Sequence, residues 1–122
     1  MPNIYVLGLD PEEARLFSRL ATDVFARELD TPREHVSVFR QEATIFRDGA
    51  DAPLPIIIRI SWIRRPAEHF TRAVEGLTRA VRDGLGRRRD SVQVELHEKW
   101  HDGAIDGRLC SQWAAANRER PS

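Results

Sequence analysis

The chain contains a single cysteine and has no net charge, and both features exclude classes of protein. Because Cys110 is alone, an internal disulfide and any metal site built from several cysteines are excluded. The 19 basic and 19 acidic residues cancel, so no overall field attracts nucleic acid or an anionic membrane. We therefore expect neither a nucleic acid nor a membrane as a partner.

Long apolar runs are also missing. The longest, at residues 54–58, includes Pro55 and is far too short to cross a bilayer. The N-terminus has neither the basic region nor the long apolar region of a signal peptide, which predicts a cytoplasmic location. With 122 residues, 41% of them hydrophobic and 31% charged, the sequence is typical of one globular domain spanning residues 1–122.

The first half of the chain has the pattern of a strand, a helix and a second strand. Residues 3–7 alternate as in a half-buried strand. A capping pattern predicts a helix that begins at Pro11, carries one apolar stripe and stops before Pro32. Apolar residues at positions 36–46 then predict one long or bent strand, with a turn at 48–49 behind it.

The second half repeats this order. Residues 54–63 are rich in β-branched side chains and predict a central strand. Pro66 is expected to open a helix that ends near Gly86. Residues 92–96 alternate as a half-buried strand, and the arginine run at 87–89 before them is expected to be a solvated loop.

The chain is therefore an approximate duplication of a β-α-β unit, with units at about residues 2–48 and 54–98 and a C-terminal tail at 99–122. Two α+β architectures fit this order. One is a ferredoxin-like sheet, in which the helices connect split strand pairs. The other has two adjacent β-α-β units related by a pseudo-two-fold axis. Apolar residues on both faces of the strand at 54–63 indicate that oligomerisation covers the sheet face without helices.

Pro2 is the first candidate for chemistry. Removal of Met1, which is common before a small residue, would leave a secondary amine at the head of the first strand. Burial disfavours the charged form of an amine, so a desolvated amino-terminal proline can be a neutral general base near pH 7. The alternative is that Pro2 has no role, because proline at the second position is common.

The arrangement with a pseudo-two-fold axis predicts which residues surround Pro2. It makes the first strands of the two units antiparallel neighbours, which brings Pro2 close to Trp62, Arg64 and Arg65. The two cations would disfavour a protonated amine and bind an anionic substrate. Arg65 is also expected to occupy the cap position before Pro66, where a cation is disfavoured, and this departure from local preference points to function. Alternatively, both arginines simply reach solvent.

The features that carry a family resemblance are Pro2 at the start of a strand, the duplicated units, the segment 32–42 and the run Ile-Ser-Trp-Ile-Arg-Arg-Pro at 60–66. Together they resemble the tautomerase superfamily, and within it a bacterial branch without an assigned activity. The resemblance covers about residues 2–110. It implies a tautomerase-like fold, namely a four-stranded mixed sheet with two helices on one face, and it implies a homotrimer with no cofactor.

The resemblance also implies roles for residues. Pro2 would be the catalytic base or acid, Arg64 or Arg65 would bind a substrate carboxylate, and Trp62 would lie with them in the substrate site. The acidic or histidine partner of some members has only ambiguous counterparts here, Glu34 or His35.

The function implied is proton transfer between carbon and oxygen in a small 2-oxo or enol carboxylic acid, a small anionic substrate. Two alternatives remain open. The chain could be a catalytically silent oligomeric protein of the same fold. It could also be a ferredoxin-like dimer that binds a small ligand.

A competing motif is the run His-Glu-Lys-Trp-His at residues 97–101, which has the spelling of a zinc-peptidase site. Such a site needs both histidines on one helical face. Here His97 follows an alternating strand, and an Asp-Gly turn at 102–103 comes directly after His101. We therefore expect strand-end histidines on a solvated rim and no metal.

Overall fold

The computed structural model describes residues 2–63 and 65–98, together with the backbone of residues 104–105 and 108–109. In chain order its elements are β1 (Asn3–Leu7), α1 (Pro11–Glu28), β2 (Ser37–Arg40), β3 (Ile45–Arg47), β4 (Ala50–Ala52), β5 (Ile56–Trp62), α2 (Ala67–Arg79), β6 (Val92–Glu98), β7 (Ala104–Ile105) and β8 (Arg108–Leu109). A 3-10 turn at Arg33–His35 precedes β2, and a π-helical segment at Ala80–Gly84 continues α2.

Helix α1 begins where the capping pattern predicts. The Asp10 side chain accepts a hydrogen bond from the Glu13 backbone N–H (2.8 Å), and the Glu13 side chain accepts one from the Asp10 N–H (3.2 Å). Ahead of the helix, Gly8 has a φ of 89°, and a Cβ there would lie 2.4 Å from the Pro55 carbonyl oxygen. Glycine is therefore needed where β1 leaves the sheet against the start of β5.

The main sheet has the strand order β2-β1-β5-β6. Strands β1 and β2 are parallel, β5 and β6 are parallel, and β1 and β5 are antiparallel at the centre. Each helix thus connects two strands that are direct neighbours, whereas in a ferredoxin-like sheet the connected strands are split. The ferredoxin-like architecture is wrong for this chain, and the prediction of adjacent β-α-β units in an α+β fold is confirmed.

The core lies between this sheet and the two helices, which cover one face. Alternate residues of β5 are buried, in keeping with a strand packed on one side. Among the described residues, the largest fully buried side chains are Trp62, Phe17, Phe25, Ile4, Ile56, Ile58, Ile60, Leu77, Val6, Val81 and Pro2. The helices approach closely, since a Cβ at Gly76 of α2 would lie 2.5 Å from Val24 Cγ1 of α1. None of the helices in the described residues is long and apolar enough to cross a membrane.

The segment predicted as one long or bent strand is interrupted. Strand β2 ends at Arg40, and strands β3 and β4 pair only with each other in a separate hairpin. Residues 41–44 between them are all exposed, so they offer no inward-facing apolar side chain that would continue β2. Asp48 and Gly49, both with positive φ, form the hairpin turn that the sequence predicts.

The second unit also differs from prediction at one loop. Gly86 has a φ of 72° and follows the π-helical segment, as expected of a residue that ends a helix. Arg87, however, is not a freely solvated cation. Its guanidinium donates to Glu13 (2.8 Å) and to Asp90, so it joins this loop to the start of α1.

The sheet face opposite the helices is mixed in character rather than apolar. Because side chains alternate along a strand, β5 places Ile57, Arg59 and Ser61 on this face. Arg59 pairs with Glu95 of β6 at 3.3 Å. On the neighbouring strands the Tyr5 and Phe39 rings stack with centroids 4.9 Å apart. The expectation of an apolar second face is thus wrong at the middle of β5 and holds for the aromatic side of the sheet.

Beyond β6, strands β7 and β8 form a two-stranded antiparallel pair in which Ala104 lies opposite Leu109. The predicted turn at 102–103 lies outside the described residues, as does Cys110.

Candidate functional site

Pro2 lies just before β1, at the end of the main sheet where this central strand begins. Asn3 pairs with Ser61 of β5 and with Ser37 of β2, so Pro2 is level with the last residue of β5. The Pro2 carbonyl accepts a hydrogen bond from the Ser37 N–H at 3.3 Å. The proline side chain is less than 2% exposed. The prediction that the first strands of the two units are antiparallel neighbours, with Pro2 close to Trp62, is therefore confirmed.

Trp62 ends β5 at this same end of the sheet. Its side chain is 1% exposed, because it points into the core between the sheet and the helices. The Phe25 ring of α1 meets the indole edge-on, with centroids 5.0 Å apart and planes at 66°. The indole Nε1 has no hydrogen-bond partner among the residues that the structure describes.

Arg65 follows the strand and lies above the Trp62 ring. The guanidinium carbon is 5.6 Å from the ring centroid, within the range of a cation–π contact. The side chain as a whole is exposed, yet partial burial of its head lowers the pKa of the Arg65 guanidinium. An arginine still keeps its charge at any physiological pH. Arg65 is thus a cation held against an aromatic surface and open to a ligand.

The helix-capping argument for Arg65 is wrong. Pro66 itself is the N-cap residue of α2, with an extended ψ of 147°, and the helix begins at Ala67. Because proline has a fixed φ and no N–H, it can stand just outside the first turn, which moves Arg65 one position further from the helix. The charge of Arg65 therefore does not sit in the cap, and its significance rests on the contact with Trp62.

The structure thus brings two of the four predicted site residues, Trp62 and Arg65, to the end of the sheet where Pro2 precedes β1. Arg64, the fourth, lies outside the described residues.

Two residues of ambiguous role lie near this end of the sheet. Glu34 and His35 belong to the 3-10 turn that leads into β2, and Ser37 of that strand is hydrogen-bonded to Pro2. Glu34 is exposed and His35 is half-buried. The turn therefore lies beside the start of β1, which the sequence pattern alone does not show.

The zinc-like motif is only partly within the described residues. His97 and Glu98 are the last residues of β6, so the extended backbone sends their side chains to opposite faces of the sheet. His97 is exposed, and its nearest acidic partner is Glu95 at 3.9 Å. His101 lies outside the described residues. Within the described part of the chain, no group of three or more potential metal ligands occurs.

A cavity that no sequence pattern predicts lies at the end of β1 opposite Pro2. It has a volume of about 590 Å³ and is lined by Gly8, Leu9, Arg40, Gln41, Glu42, Ala43, Thr44 and Leu54. Arg40, its basic residue, donates to the Leu9 carbonyl (2.8 Å) and to Glu42 (2.9 Å). Its charge is thus already paired. No motif marks this cavity, because it forms only where the break after β2 meets the turn after β1.

Comparison with known proteins supports the fold. No protein-family model matches the sequence, and no curated protein matches it significantly. Among solved structures, the chain is similar to a domain of unknown function (DUF1904) from Sebaldella termitidis, with a TM-score of 0.72 and 22% identity over 88% of this chain and 97% of that one.

Two further similar structures are those of an inactivated protein and of a trimer. One is Pt0534 inactivated by 2-oxo-3-pentynoate, with a TM-score of 0.69 and 17% identity over 91% of this chain and 97% of that one. The other is the asymmetric trimer of the fused 4-OT named F6, with a TM-score of 0.72 and 16% identity over 91% and 98%. These neighbours confirm the resemblance at the level of the fold: the chain has the tautomerase fold.

Proposed function

We propose that this chain is a cofactor-free, tautomerase-like isomerase of small 2-oxo or enol carboxylic acids. Pro2 becomes the amino terminus when Met1 is removed, and its amine is the general acid and base. The observation that carries the proposal is the position of Pro2, which is buried just before β1 and level with Trp62, the residue whose ring lies against the Arg65 guanidinium. Desolvation and a nearby positive charge both favour the neutral form of an amine, which is the form that accepts a proton.

The chemistry needs few groups. In the enol-to-keto direction the neutral amine of Pro2 takes the enol hydroxyl proton, which leaves an enolate. The C2–C3 π electrons of the enolate then take a proton from the protonated amine to form the C3–H bond, an oxygen electron pair forms the carbonyl double bond, and the amine is neutral again. Arg65, or Arg64 beside it, binds the carboxylate and stabilises the enolate charge.

Structural neighbours support the substrate class and the assembly. Pt0534 is inactivated by a 2-oxo acid, and two fused 4-OT proteins are trimers. We extend both features to this chain as part of the proposal, namely a small anionic 2-oxo or enol acid as the ligand and a homotrimer as the assembly.

A catalytically silent oligomer of the same fold is the second candidate. The burial of Pro2, which favours a neutral amine, also leaves little surface for a substrate, so this candidate applies if removal of Met1 does not open the proline nitrogen to a ligand. A ferredoxin-like dimer is no longer an alternative, because the strand order excludes that fold.

Covalent labelling tests the proposal. After intact-mass measurement shows that Met1 is absent, the protein is incubated with 2-oxo-3-pentynoate, and its ketonisation of phenylenolpyruvate is followed without added metal. A neutral proline amine adds to the alkyne carbon remote from the carbonyl, and the adjacent alkyne carbon takes up a proton, so the adduct has the mass of protein plus one reagent. We expect this adduct on the N-terminal peptide, together with loss of ketonisation.

The control is the same chain with an uncleaved N-terminal extension, which should neither react nor ketonise. Met1-free protein that stays unlabelled and inactive would favour the silent oligomer. Retention of Met1 on the purified protein would remove the proposed base altogether.

A further inference from the structure

Trp62 is an unexpected residue for its position. It is 1% exposed, and its Nε1 is buried without a hydrogen-bond partner in the described part of the chain. A buried donor without an acceptor lowers stability, whereas phenylalanine would fill much of the same space with no polar atom to satisfy. Packing alone therefore does not explain a tryptophan here.

The faces of the indole offer an explanation. Phe25 meets the ring edge-on and fixes its orientation from α1, while the Arg65 guanidinium lies 5.6 Å from the ring centroid. Among the aromatic side chains, tryptophan attracts a cation most strongly through its ring face. The residue that carries an unsatisfied N–H is thus the one that best holds a guanidinium.

We propose that Trp62 is a positioning residue, whose indole face holds the Arg65 guanidinium at the Pro2 end of the sheet for a substrate carboxylate. This inference rests on the proposed function. It revises the expectation that Trp62 lines the substrate site, because a side chain with 1% exposure has almost no surface for a ligand. Arg65, which is exposed, makes the contact instead.

Anchoring matters because a free arginine side chain loses rotamer entropy when it binds a ligand. If the indole already restricts the guanidinium in the free protein, less rotamer entropy is lost when the ligand binds. Loss of the ring should therefore weaken binding of the carboxylate, without changing the chemistry at Pro2.

The test is a double-mutant cycle on ketonisation of phenylenolpyruvate. Trp62→Leu removes the ring, and we expect KM to rise about three- to tenfold with kcat little changed. Trp62→Phe keeps an aromatic face and should raise KM less. In the Arg65→Ala background, Trp62→Leu should raise KM no further, since the residue through which it acts is gone.

Phe17→Leu is the matched control, because it removes another fully buried aromatic ring and should leave KM unchanged. Urea unfolding of each variant identifies any that fails to fold, in which case Trp62→Phe carries the comparison. An equal KM rise in the parent and Arg65→Ala backgrounds would overturn the inference.

A spectroscopic readout separates this inference from the proposed function. The NMR signal of the Arg65 side-chain N–H should show a ring-current shift that is lost in Trp62→Leu. If this shift is present but the Met1-free parent has no activity, the proposed function fails while the contact stands. If the parent is active and the shift is absent, the positioning role fails alone.

Discussion

Arg65 is the described residue whose substitution tests substrate recognition most directly. Arg65 is an exposed residue whose guanidinium lies against Trp62, so Arg65→Ala should raise KM for phenylenolpyruvate. It should also lower kcat if the cation stabilises the enolate more than the substrate. Loss of one charge-assisted contact costs about 1.5–3 kcal/mol, or roughly ten- to a hundredfold in kcat/KM. Arg64→Ala in parallel identifies which arginine binds the carboxylate.

His97→Ala is the control for this series, because His97 is exposed at the end of β6 and has no role in the proposed reaction. Its kcat/KM should match the parent value. Arginine variants that match the parent, combined with loss of activity in His97→Ala or with a chelator, would favour metal chemistry at residues 97–101 instead.

At the same scale, the neighbours of Pro2 could be predicted and the details of their contacts could not. Period-two patterns and the duplication indicate two first strands that run antiparallel, and that register alone brings Pro2 level with Trp62. The cap position could not be assigned, because Pro66 is compatible both with the first helical turn and with the extended residue before it. The stacking of Arg65 on an indole depends on side-chain torsions, which no sequence pattern specifies.

At the scale of secondary-structure elements, the close contact of α1 with α2 can be tested by adding one methyl group. Alanine is favoured over glycine in a helix by about 1 kcal/mol, but a Cβ at Gly76 would lie 2.5 Å from Val24 Cγ1. Valine is stiff at χ1 and cannot easily turn away, and overpacking costs about 1–3 kcal/mol. We expect Gly76→Ala to lower the free energy of unfolding by about 1 kcal/mol, measured in urea.

The Val24→Ala background relieves the clash, so Gly76→Ala should there raise the free energy of unfolding by up to about 1 kcal/mol. Gly84→Ala is the matched control. Its Cβ would lie 2.4 Å from Leu20 Cδ1, the end of a more flexible side chain, so its loss should be smaller. An equal effect of Gly76→Ala in both backgrounds would show that the two helices can separate freely.

Elements with a clear repeat and a capping signal could be predicted from the sequence, and the segment after β2 could not. The capping box at Asp10 and Glu13 is local, so it is visible in the order of residues. After Arg40 only the Gln41 N–H still donates to the main sheet, to the Val6 carbonyl (2.9 Å), and Ile45 begins a separate hairpin. Apolar residues on both sides of such a break give the same sequence pattern as one continuous strand, because a short apolar run does not indicate which sheet it joins.

For the molecule as a whole, the main question is what covers the second face of the sheet. The helices bury one face only, and the other carries the stacked Tyr5 and Phe39 rings beside the Arg59–Glu95 ion pair. Phe39 remains 44% exposed in the single chain. An aromatic surface edged by a salt bridge has the composition of a subunit contact, apolar at its centre and polar around it.

Assembly through this face can be tested with one charge. We expect the parent chain to sediment as a homotrimer, in keeping with the proposed function. Phe39→Asp should shift it toward monomer at micromolar concentration, because burying an unpaired carboxylate in a subunit contact costs several kcal/mol. Leu16→Asp adds the same charge at a residue of α1 that is 38% exposed, on the helix side, and should leave the trimer intact. If both variants stay trimeric, the subunits meet elsewhere, whereas a stable monomeric parent would contradict the requirement for cover that the one-sided sheet implies.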